Sequence, residues 1–257
     1  MRSGRKIKDF FDFLLLHFDF ESMPLTLIIL GTVPSFIWLS IYLREDEHPE
    51  PNRFIIKIFF LGMLFAPIAA GIEFLLISSI KNITLPVIAV NFLVFFIFIG
   101  VVEEYCKYLA VKVGLLNNPV FDEPADAMIY LIVSGLGFAA LENILALFHF
   151  TDFGGGSLFG SAMEIIALRF LSSTLLHVLA SSIVGYYLAR SHFFSKKYAL
   201  TTGLIIAGLL HGSYNSLTII SDSFQKITPT LMVIALLGAM AIWVNMLFYK
   251  LKKDFFK

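Results

Sequence analysis

Between Leu85 and Leu116 the chain is apolar enough to cross a bilayer as one helix, yet Glu103, Glu104 and Lys107 lie inside the run. A charged side chain at the centre of such a helix costs about 2.5–3.5 kcal/mol on insertion scales. Two carboxylates and an ammonium therefore cannot face lipid. They have to be turned toward other polar groups inside a bundle, so this short stretch already demands an all-α, multi-span fold with a polar interior.

Composition agrees. Hydrophobic residues make up 58% of the 257 and charged residues 15%, against about 45–50% and 25% in soluble domains. The 28 Phe suit lipid-facing helix surfaces. A net charge of zero gives no reason to expect a nucleic-acid partner, and no nucleotide partner is expected either. The partners implied are the lipid bilayer and whatever reaches the polar interior. The single cysteine, Cys106, excludes an internal disulfide and reads as a packing residue.

About seven segments approach the ~20 apolar residues that a span needs: about 24–43, 54–80, 85–116, 127–150, 162–189, 200–221 and 229–249. The expected fold is a polytopic transmembrane helix bundle of about seven spans, with residues 24–257 as one membrane domain. Residues 1–23 form a separate N-terminal segment. Its stretch 7–20 is too short and too acidic to span, so it reads as an interfacial helix or a mobile arm. Asp126 is placed to cap the fourth span, and Gly154-Gly155-Gly156 marks a flexible loop and a candidate gate. Basic residues collect on the side of Arg44, Arg53, Arg190, Lys196, Lys197 and Lys252, which places the C-terminus and the Glu50 loop in the cytoplasm. The basic cluster at the N-terminus argues the other way. The expected location is the cell membrane.

Polar residues interrupt five of the spans: Glu73; Glu103, Glu104 and Lys107; Glu142 and Asn143; Arg169 and His177; His211 and Asn215. Glu103, Glu142, His177 and His211 each lie about thirteen to sixteen residues from the same surface, roughly 20–24 Å at 1.5 Å per residue. The sequence thus predicts one shared layer. Glu103 and Lys107 share a helix face, as do His211 and Asn215; Arg169, Ser173, His177, Ser181 and Gly185 form a stripe of polar and small residues. Glu104 points about 100° from Glu103, and Arg169 is its expected partner. Glu73 reads as structural or gating, deeper toward the far side. His17, His48, His149 and His192 lie at or near helix ends and receive no role.

A carboxylate and an imidazole can activate water as general bases, and an amide or imidazole can stabilise an oxyanion. Glu and His are also zinc ligands, so Glu103, Glu142, His177 and His211 are candidate metal ligands. No local spacing such as His-Glu-x-x-His supports the metal, and the cofactor stays open with zinc as the candidate. Bland alternatives remain: Glu103 and Lys107 as a structural ion pair, the histidines and Asn215 as helix-packing groups, or the whole layer as the relay of a proton- or ion-coupled transporter.

Taken in order, these motifs resemble the PrsW family of intramembrane proteases, distantly related to the CAAX-protease and bacteriocin-processing family. The resemblance runs from Pro34-Ser35-Phe36-Ile37-Trp38-Leu39 through Asp46 and Pro49-Glu50-Pro51. It continues through Glu103-Glu104-x-x-Lys107, Asp126-Ala127-Met128-Ile129-Tyr130, Phe138-x-x-x-Glu142-Asn143 and Arg169 with His177, and ends at His211-x-x-x-Asn215. It implies an intramembrane endopeptidase acting on a membrane-anchored protein, an anti-sigma factor in the founding case. It implies that Glu103 and Glu104 supply the base, that Glu142, His177 and His211 line the site, and that His211 and Asn215 stabilise the oxyanion. Lys107, Asn143 and Arg169 take supporting places. Glu142 stands where the wider superfamily carries His, which leaves a metal-free glutamic enzyme and a metalloenzyme both open. On this reading Glu103, assisted by His177, activates the water.

Overall fold

The computed structural model describes residues 25–45, 48–80, 83, 86–151, 158–224 and 227–255, and among these every regular element is a helix. The predicted interfacial helix and the Gly154–Gly156 loop lie outside the described residues. The helices are α1 (Leu25–Tyr42), α2 (Asn52–Ile80), α3 (Val87–Gly114), α4 (Pro124–Thr151), α5 (Leu158–Leu171), α6 (Ser173–His192), α7 (Ala199–Phe224) and α8 (Ile227–Phe255). Counting α5 and α6 together, seven segments are long and apolar enough to cross a membrane, as the sequence predicts.

The bundle is built around α4. Within its span 72% of residues are buried, against 22–39% in the other six, so lipid is left to the outer helices. Small residues make this central position possible. A Cβ on Gly137 would collide with the Phe59 carbonyl of α2, so only glycine permits that backbone approach. On other sides α4 meets α1 and α6, while α7 packs between α3 and α6.

Two elements depart from uniform spans. In α3 the residues Leu93–Val101 form a π-helical stretch immediately before the Glu103 turn. The fifth span is not one helix. It breaks at Ser172, whose φ of −120° and ψ of −88° are not helical, and whose Oγ turns back to donate to the Leu168 carbonyl at 2.7 Å. Trp38 of α1 donates from Nε1 to the Phe170 carbonyl at 3.0 Å, satisfying a carbonyl that the end of α5 leaves open.

At the basic end the connections are tied together. Tyr130 donates to Glu50 Oε2 at 2.6 Å, His48 meets Glu123 at 2.8 Å, and Arg190 donates to Asp254 at 2.8 Å. Asp126 does not cap α4 from the N-cap position. It sits in the first turn and its Oδ2 accepts from the backbone N–H groups of Asp122 and Glu123, at 2.9 and 2.8 Å. The helix opens at Pro124, which suits a first helical position, and Asp126 reaches back like the second half of a capping box.

Candidate active site

The helix break, the central α4 and the α3–α7 contact bring the polar layer to one place. Glu103, Glu104, Lys107, Asn143, His177 and His211 are all buried, whereas the side chains of Glu142 and Arg169 are 28% and 23% exposed. The layer is thus enclosed on most sides and open beside Glu142.

Lys107 sits at its centre. Its ammonium lies 2.6 Å from Glu104 Oε1, 2.7 Å from His177 Nδ1 and 3.5 Å from Glu103 Oε2. It also stands 4.8 Å from the centroid of the Phe138 ring, and the Ser134 hydroxyl donates to the Lys107 carbonyl at 2.9 Å.

An ammonium has only donors, so it fixes the tautomer of His177. Nδ1 must accept from Lys107; the ring proton is then on Nε2, which donates to Glu142 Oε2 at 2.8 Å. On His211 the Nδ1–H donates to Glu104 Oε1 at 2.9 Å. This leaves Nε2 with its lone pair, 3.6 Å from Glu103 Oε2, which is too long for a hydrogen bond. His177 Nδ1 lies 3.9 Å from the same oxygen. Each imidazole therefore turns one nitrogen toward Glu103 and gives the other to a separate carboxylate.

Behind this centre Arg169 holds Glu142 and Asn143. Its NH2 donates to Glu142 Oε2 at 3.4 Å and its Nε to Asn143 Oδ1 at 2.6 Å. Asn143 in turn donates to Thr174 Oγ1 at 3.1 Å. The expected Glu104–Arg169 pair does not form, because Lys107 and His211 take Glu104 and the break at Ser172 leaves Arg169 on α5, beside α4. Glu73 is buried, and its Oε1 has no hydrogen-bond partner among the described residues. Asn215 is half-buried on the turn after His211, and its side-chain amide has no partner among the described residues. Helical spacing does not reveal the Lys107–His177 contact or the bond from Asn143 to Thr174; the shared depth of Glu103 and His177 is the sequence signal for the first.

The donor set can be tested against a divalent metal. Glu103, His177 and His211 each offer one ligand atom, all within 4.8 Å of one another. Tetrahedral zinc with bonds of about 2.0–2.2 Å sets its ligands roughly 3.3 Å apart, so the widest pair would have to draw in by up to about 1.5 Å. Two histidines and one glutamate form a known catalytic zinc set, and a carboxylate on the far nitrogen of each ligand histidine is the usual outer support. The donor types fit a metal, which could bind His177 once the Lys107 ammonium has left Nδ1. Of the four candidate ligands, Glu142 is the one left out, since it meets His177 from the far side of the ring.

A polytopic helix bundle that encloses a glutamate–histidine layer and opens beside Glu142 is of the class to which intramembrane proteases belong. The chain belongs to the PrsW family: residues 50–245 match the family described as PrsW family intramembrane metalloprotease. It is 29% identical to Protease PrsW of Oceanobacillus iheyensis over 231 residues, covering 89% of this chain and 96% of the relative. It is 30% identical to Protease PrsW of Bacillus subtilis over 208 residues, covering 79% and 88%. Against the protein of the same name from Clostridioides difficile identity is 28% over 220 residues, covering 83% and 88%. No solved structure matches the chain. Nothing among the relatives favours a transporter, and the protease reading stands.

Proposed function

We propose that this protease cuts a membrane-anchored protein at a metal held by Glu103, His177 and His211. The carrying observation is the convergence of the two imidazoles: Glu103 Oε2 lies 3.9 Å from His177 Nδ1 and 3.6 Å from His211 Nε2, while Glu142 and Glu104 engage the other ring nitrogens. When bound, a zinc-like ion there supplies Lewis acidity and lowers the pKa of a bound water.

The chain's own groups do the rest. Glu142 and Glu104 fix ring orientation and tautomer. Glu103 Oε2 faces Lys107 and the two imidazoles, and Oε1 takes the proton of the attacking water, with His177 held beside it. The water oxygen bonds to the carbonyl carbon, Glu103 passes the proton it took to the amide nitrogen, and the C–N bond breaks to leave a carboxylate and an amine. Both nitrogens of His211 are committed, so the oxyanion donor on α7 is Asn215 alone, one turn further along the helix face. Burial of the centre excludes bulk water, and the opening beside Glu142 is the entrance for a substrate segment. The family resemblance suggests a single-pass, anti-sigma-factor-like substrate, and the cell membrane as the place of cleavage.

The test uses the full chain with a cleavable membrane-anchored substrate. Wild type should carry about one zinc per chain, and Glu103→Ala, His177→Ala and His211→Ala should each lose both metal and cleavage. Undiminished cleavage by chelator-treated, metal-free protein would sink the metal reading and leave a glutamic protease.

A further inference from the structure

Among the described residues Lys107 is the one positive group inside the lone-pair centre, and its position is that of a bound cation. Three groups face it within 3.5 Å: Glu104 Oε1, His177 Nδ1 and Glu103 Oε2. Two of these belong to residues of the proposed ligand set. A metal at bonding distance from His177 Nδ1 would sit about 2.0–2.1 Å from that nitrogen, along the lone pair that the ammonium now occupies at 2.7 Å. The two cations cannot use that lone pair together.

The structure also holds a place for the ammonium to go. Glu104 Oε2 is buried and has no hydrogen-bond partner, although Oε1 of the same carboxylate accepts from both Lys107 and His211. A small rotation of the Lys107 side chain would keep its bond to Glu104, add this second oxygen, and free His177. An ordinary structural ion pair needs neither the imidazole contact nor the spare oxygen.

We propose that Lys107 is a tethered counter-cation that fills the metal's place when the metal is away and withdraws to Glu104 when the metal enters. Lys107 is thus a positioning residue. In the metal-free protein it pairs with Glu103 and Glu104, holds His177 in the tautomer that ligates, and sets the threshold of metal concentration at which the enzyme becomes active. The inference rests on the metal reading above.

The experiment compares chelator-stripped, full-length wild type, Lys107→Met and Lys107→Arg in detergent, with zinc affinity read by competition against a chromophoric chelator and folding read by circular dichroism. Met matches the length of the stem without its charge. Lys107→Met should bind zinc tighter than wild type, on the order of tenfold or more, because a divalent ion no longer meets an ammonium a few ångströms away. Its metal-free form should melt lower than metal-free wild type, and zinc should raise its Tm by more. Lys107→Arg, which keeps the charge, should bind no tighter than wild type. A folded Lys107→Met with wild-type or weaker affinity overturns the proposal. So does Lys107→Met that stays unfolded at saturating zinc, since the metal then cannot replace the ammonium. A different outcome reaches the underlying reading: if neither wild type nor Lys107→Met takes up zinc while wild type still cleaves substrate, the metal reading itself falls.

Discussion

The two carboxylates behind the histidines are not equivalent. Glu104 is wholly buried and shared between Lys107 and His211, so its loss would strand an ammonium in the interior. Glu142 is partly exposed and is shared between His177 and Arg169, which makes it the safer position at which to test outer support. Glu142→Gln keeps the shape and an acceptor oxygen but removes the charge that favours the Nε2–H tautomer of His177. Zinc affinity should fall about 10–100-fold, the usual cost of losing such a partner, with the helical content unchanged. Unaltered affinity would mean that Glu142 does not orient the ligand. At this scale the sequence carried half the information. Equal depth predicts that Glu103, Glu142, His177 and His211 meet, and they do. Helical spacing predicts only the direction in which Glu104 points. Which basic group answers it depends on the rotation of neighbouring helices, and Lys107 and His211 meet it where Arg169 was expected.

Those rotations belong to the elements. Hydropathy locates the span ends within a few residues because the cost of burying charge in lipid is steep. It says nothing about the π-helical stretch of α3 or the break at Ser172, since both replace one apolar helical segment by another. Small residues are more informative. Gly208 of α7 faces α3 so closely that a Cβ there would lie 3.0 Å from both the Cα and the nitrogen of Val101, two residues before Glu103. Backbone cannot yield as a side chain tip does, so Gly208→Val should force α3 and α7 apart. Overpacking of this kind costs roughly 1–3 kcal/mol, and a displacement on the order of 1 Å at the centre costs about 100-fold in rate. The expected result is a lower Tm, loss of zinc and a cleavage rate down by about that factor. Gly238→Val on α8 is the control, because a Cβ at Gly238 meets nothing within 4 Å. Equal behaviour of the two variants would show that the α3–α7 approach does not position the site.

For the whole molecule, charge at the helix ends bears on which way the bundle faces. The positively charged connections are not merely on one side by counting; they are physically joined. Glu50 reaches Tyr130 of α4, Phe121 stacks on Phe193 with ring centroids 5.5 Å apart, and Arg190 binds Asp254 near the end of α8. These contacts gather the α1–α2, α3–α4 and α6–α7 connections and the end of α8 on one surface that carries Arg44, Lys112, Lys196, Lys197, Lys250, Lys252 and Lys253. By the positive-inside rule the prediction is that a surface of that charge faces the cytoplasm. The short α2–α3 connection, with exposed Ile83, then faces outward. The single native cysteine is buried, so Cys106→Ala gives a clean background for labelling. In that background Ile83→Cys should react with a membrane-impermeant maleimide in intact cells, and Lys197→Cys only after the membrane is opened. The reverse pattern would invert the protein. The proposed centre would then lie roughly 20–24 Å below the outer surface instead of the cytoplasmic one, at 1.5 Å per helical residue, and the Glu142 opening would present to substrate segments from the other side.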